Sequence, residues 1–109
     1  MTSYVFIESR DPFASHDTQF VEENAIALKK RGHDVAVFLV QNGVLACRRH
    51  VTDSYLSRLT EAGVTLLADD FSLRERGIES AELLSSIRPS NIETLVDALV
   101  QENTKAIWH

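Results

Sequence analysis

One cysteine among 109 residues, Cys47, excludes an internal disulfide. An excess of basic residues is also missing: 11 Lys and Arg stand against 16 Asp and Glu, a formal net charge of -5 with a pI near 5.3. Such a chain has no non-specific attraction to phosphate backbones or anionic lipid, so neither nucleic acid nor a membrane is an expected partner. No apolar run approaches the length of a membrane span, and the opening MTSYVFIESRD has no basic stretch ahead of a signal-type core. The expected compartment is the cytoplasm. No glycine follows the first apolar run, where a dinucleotide-binding loop needs several. His16, His33, His50 and His109 show no zinc-ligand spacing, and no nucleophile-elbow pattern occurs. No metal and no cofactor are called for.

What remains is an ordinary globular composition, 44% hydrophobic and 25% charged, sufficient for one core and one domain over residues 1–109. YVFI (4–7) reads as a first strand, stopped by the polar stretch from Glu8 to Pro12. A helix capped by Asp17 or Thr18 follows, with Phe20, Val21, Asn24, Ala25 and Leu28 on one face and LKKRGH bringing cations to a glycine stop. DVAVFLV (34–40) is almost continuously apolar, as a strand covered on both faces should be. A short helical piece is expected around 44–50 and a helix from Ser54 to Ala62, closed by Gly63. VTLLA (64–68) is the third strand and DDFSLRERG a turn or short helix. A brief fourth strand or extended segment is expected around 81–88, ended by Pro89. Ser90 or Asn91 caps a last helix with Ile92, Leu95, Val96, Leu99 and Val100 in one stripe, and KAIWH is a final strand. Trp108 is expected in the core or at a subunit contact. This alternation predicts an α/β fold, a three-layer α/β/α sandwich around a mostly parallel sheet of about five strands.

Ligands of such sheets bind outside the carboxyl ends of the strands. Ser9, Ser15 and Thr18 could hold a phosphate there, but Asp11, Ser15 and Asp17 are better read as satisfying turn and capping bonds. A phosphoreceiver would use Asp11, Asp69 and Asp70 with a lysine beyond the last strand, but Lys105 precedes that strand. The acidic pair is better read as capping the turn and pairing with Arg74 or Arg76. In QNGVLACRRH, Cys47 adjoins Arg48, Arg49 and His50, three groups able to stabilise a thiolate, with Asn42 and Gly43 shaping the approach. Against that, the i, i+3, i+7 spacing of Val44, Cys47 and Val51 puts the thiol on an apolar face and turns the arginines to water.

VFIESRDPF at the first strand edge, LKKRGHDVAVFLVQNGV across the second and AGVTLLADDFSLRERGI across the third resemble the DsrE/DsrF-like family, and the resemblance runs through IETLVDALVQENTKAIWH. The resemblance implies a five-stranded parallel sandwich assembled as a homo-oligomer, whether dimer, trimer or hexamer. It also implies relay of sulfur as a cysteine persulfide in some members, between a donor and an acceptor protein, through a cysteine near the loop after the third strand. Here that loop reads Asp69, Asp70, Phe71, Ser72, and the only thiol follows the second strand. Two functions stay open: a sulfurtransferase-like persulfide carrier using Cys47, or a non-catalytic subunit. The second would recognise a small anion or a partner protein through Arg10, Asp11, Asn42, Gly43, Asp70, Ser72 and Arg74.

Overall fold

The computed structural model describes residues 2–12, 18–48 and 55–109. Five strands form one sheet in the order β4-β3-β2-β1-β5, every neighbouring pair parallel. They are β1 (Ser3–Glu8), β2 (Asp34–Leu39), β3 (Thr65–Asp69), β4 (Ile87–Ser90) and β5 (Thr104–Trp108), interleaved with helices α1 (Thr18–Lys30), α2 (Tyr55–Glu61), α3 (Asp70–Glu75) and α4 (Ile92–Leu99).

Strand alternation sorts the core into two layers. Phe6, Val35, Val37, Leu39, Leu66 and Ala68 pack beneath Val21 and Ala25 of α1 and Leu56 and Leu59 of α2. Val5, Ile7, Phe38 and Val40 meet Leu95 of α4 on the opposite face. Topology explains the unequal cover: β1, β2 and β3 advance in one direction, so right-handed crossovers place α1 and α2 together. The return from β4 to β5 runs the other way and makes α4 the one described helix on the second face.

Four local expectations need correction. The helical piece after β2 is a 3-10 helix, Gln41–Cys47, rather than a helix over 44–50. Its three-residue period places Val44 and Cys47 on one buried side. Of residues 81–88 only Ile87 and Arg88 belong to the fourth strand: a 3-10 turn covers Ser80–Glu82 and β4 covers Ile87–Ser90, with Pro89 inside it opposite Ala68. Pro89 is tolerated because β4 is an edge strand, whose outer side needs no amide donor. On α1, Val21 and Ala25 are buried but Phe20 and Asn24 are exposed. Trp108 lies on the other edge strand and is 68% exposed, not in the core. No helix among the described residues is long and apolar enough to cross a membrane.

Candidate functional site

Cys47 closes the 3-10 helix with its thiol wholly buried, 0% exposed, in the layer beneath α1 and α2. Burial pushes the thiol up from 9.0 to about 12, so it is neutral at physiological pH. The neighbouring cation does not offset this, because Arg48 directs its Nε to the Leu45 carbonyl at 3.1 Å. The Cys47 carbonyl accepts from Leu84 N at 2.9 Å, which ties the end of the 3-10 helix to the segment before β4. Arg49 and His50 lie outside the described residues.

At the carboxyl edge a cleft of about 460 Å³ opens between the end of β2, helix α3, helix α4 and the end of β5. Asp69 caps α3, its Oδ2 accepting from Ser72 N at 3.0 Å and from Ser72 Oγ at 2.7 Å. Ser72 Oγ in turn accepts from Gln41 N at 2.9 Å. This links the β3 and β2 tips and holds Gln41 at φ 50, a left-handed conformation unusual for a residue with a side chain. Arg76 reaches across from the end of α3: its Nε and Nη2 donate to Asn42 Oδ1 at 3.2 and 3.1 Å, and Nη1 donates to the Ser72 carbonyl at 3.3 Å. Val40, Ile92 and Leu95 supply apolar wall, and Phe71, Glu75 and Trp108 complete the lining.

The residues expected to meet at this edge therefore divide into three pairs and Gly43. Asn42 and Ser72 share the cleft. Asp70 and Arg74 face a separate hollow beside Gly77 and Pro89, where they form a loose, exposed ion pair at 3.7 Å. Arg10 and Asp11 sit beyond the tip of β1, with Arg10 N donating to Glu8 Oε1 at 2.9 Å. Gly43 has no open space: a Cβ there would strike the Glu8 carbonyl oxygen. The expected capping by the acidic pair does occur, divided between Asp69 as cap and Asp70 as the partner of Arg74.

The segments 41–43 and 69–72 were expected at this rim and both contribute to its lining, whereas Arg76 and Trp108 were not expected there. Sequence reasoning also missed a buried polar group on the α1 and α2 side, where Glu8 is 0% exposed and its Oε2 lies 2.7 Å from His109 Nδ1. Near it, the Tyr55 hydroxyl is buried without a hydrogen-bond partner among the described residues. Burial, then the charges of Glu8, Cys47, Glu22 and Asp11, push the Tyr55 phenol well above its ordinary range.

Comparison with known proteins follows the same architecture. Over its whole length the chain superposes on the whole of the YchN protein of E. coli with a TM-score of 0.88 and 19% identity. It covers all of the MTH1491 protein of Methanobacterium thermoautotrophicum, whose structure is titled as of unknown function, with a TM-score of 0.83 and 23% identity. The BT1422 protein of Bacteroides thetaiotaomicron, likewise titled, matches over 98% of this chain and 94% of its own, with a TM-score of 0.75 and 15% identity. At these identities the likeness is one of fold. No curated protein matches the sequence. A model of the DsrE/DsrF-like family matches residues 2–106. The chain belongs to the DsrE/DsrF-like family.

Proposed function

We propose that this protein is a ligand-binding and assembly subunit of the DsrE-like kind, working in the cytoplasm, and that it does not itself carry sulfur. The observation that supports this reading is the state of its one thiol. A persulfide relay needs a thiolate that a donor can reach, and Cys47 is 0% exposed and neutral, with its pKa pushed up to about 12. The loop after β3 carries Asp69, Asp70, Phe71 and Ser72, none of which can form a persulfide. An open polar and aromatic cleft lies at that same loop.

Alkylation tests the reading directly. Iodoacetamide at neutral pH is expected to leave native Cys47 unmodified and to modify it fully once urea unfolds the chain. Rapid native alkylation with a pKa below the free-thiol range, or an added sulfur on Cys47 in the intact mass under non-reducing conditions, would restore sulfur relay. The same burial sets a pH dependence. The folded pKa of about 12 lies above the reference of 9.0, so the stabilising contribution is full below pH 9.0 and is lost as pH rises toward 12. Cys47→Ser should flatten that alkaline loss in pH-dependent urea unfolding, leaving the part due to Tyr55.

Assembly is assigned to the face that α4 covers. Ile92, Val96 and Val100 recur every four residues on its outer side, 56%, 50% and 72% exposed, and form an apolar stripe that water does not favour. A second copy of the chain burying this stripe is the expected occupant. Val96→Glu should move the mass measured by size-exclusion light scattering toward the monomer without lowering the unfolding temperature of the isolated subunit. An unchanged mass would remove α4 from the interface.

A further inference from the structure

We propose that the carboxyl-edge cleft selects a small organic cation, a protonated amine on an apolar or aromatic body, over an anion. The proposal rests on reading that cleft as the ligand site. Asp69 is 8% exposed and lines the cleft, and both of its bonds from Ser72 fall on Oδ2. Among the described residues Oδ1 has no hydrogen-bond partner. That oxygen keeps contact with the open cleft, where an ammonium N–H can reach it and make a charge-assisted bond.

The charge around it points the same way. Asp69 and Glu75 line the cleft against one cation, Arg76, whose guanidinium is already committed to Asn42 Oδ1 and the Ser72 carbonyl. An incoming anion would have to displace those bonds while facing two carboxylates. Trp108 is independent of both observations. It is 68% exposed on edge strand β5, it lines the same cleft, and indole is the side chain that best attracts a cation. The cleft is large enough for a ring-bearing amine, and Val40, Ile92 and Leu95 give its body apolar contact.

Trp108 is the chain's one tryptophan, so its fluorescence reports on this cleft alone. The intact protein at pH 7 is titrated with 2-phenylethylamine, 3-phenylpropionate and 2-phenylethanol, which share a ring and differ in charge. The amine is expected to perturb Trp108 emission saturably, at least ten-fold more tightly than the other two, and to weaken as salt rises. Asp69→Asn keeps a capping acceptor for Ser72 and should weaken amine binding about ten-fold, whereas Asp70→Asn, in the adjoining hollow beside Arg74, should not. Phenylpropionate binding as tightly as the amine would overturn the cation assignment while leaving the cleft a ligand site. Unaltered amine binding by Asp69→Asn would also overturn it. Silence of Trp108 toward all three probes would remove both the assignment and the cleft reading beneath it.

Discussion

Replacing Gly43 with alanine should destabilise the fold by about 3 kcal/mol, the upper part of the range for forcing atoms into filled space. The 3-10 helix after β2 crosses so close over the tip of β1 that an added Cβ would meet the Glu8 carbonyl oxygen, with the Glu8 carbonyl carbon 3.2 Å away. That carbonyl is not free to retreat, because it accepts from Val40 N at 3.0 Å, and Gly43 N is itself tied to the Val40 carbonyl at 2.9 Å. The obstacle is backbone against backbone, so no side chain can rotate out of the way. Gly32→Ala is the control. Its φ of 88 strains a Cβ-bearing residue, yet nothing lies within 4 Å, and the expected cost is about 1 kcal/mol. Urea unfolding of both variants, with unchanged m-values, measures the difference. A Gly43→Ala protein within 1 kcal/mol of the parent would mean that the β1 and β2 tips can slide. The placement of Gln41 and Asn42 at the cleft would then not be fixed by this contact.

Residues whose partners are near in sequence were legible; those whose partners are distant were not. DVAVFLV announces a strand buried on both faces, and β2 is indeed the third strand of the sheet, between β1 and β3. The spacing of Val44 and Cys47 favoured a buried thiol, and both are 0% exposed, although the helix that achieves it is 3-10. Asn42 and Ser72 could be placed at the rim because they follow strands. That Ser72 holds the amide of Gln41, and that Arg76 holds Asn42, depends on β2 and β3 being neighbours. No local pattern encodes that pairing. Which strands are edges is equally non-local. With β4 and β5 at the two margins, Pro89 can sit inside a strand and Trp108 can stand out in solvent, whereas the same residues in β1 or β2 would have been misfits. The expected meeting of Asp70 and Arg74 with Asn42 fails for a helical reason. Asp69 turns inward as the cap, so Asp70 and Arg74, one turn apart, point together into the next hollow.

The side-chain contact most remote in sequence among the described residues carries the other large expected effect. Glu8 is 0% exposed at the end of β1, on the side of the sheet that Phe6 shares with α1 and α2. Two groups compensate its carboxylate: Arg10 N on Oε1 at 2.9 Å and His109 Nδ1 beside Oε2 at 2.7 Å. His109 is held in register by the sheet itself. Its amide donates to the Ile7 carbonyl at 2.8 Å, its carbonyl accepts from Ser9 N at 3.2 Å, and its ring stacks on Phe20 with centroids 5.2 Å apart. His109→Ala removes one of those two groups and strands a buried charge, for which a loss of about 3 kcal/mol in urea unfolding is expected. In a Glu8→Gln background the buried charge is gone, and His109→Ala should cost only about 1 kcal/mol, the scale of one neutral hydrogen bond. The difference between backgrounds, about 2 kcal/mol, isolates the pair from the stacking on Phe20, which both backgrounds retain. Tyr55→Phe provides the opposing case nearby. Its hydroxyl is buried with no partner among the described residues, so removing it breaks no bond and should leave stability unchanged or raise it by about 1 kcal/mol. Equal losses for His109→Ala in the two backgrounds would mean that ring packing, and not compensation of Glu8, is what joins β5 to β1 at this edge.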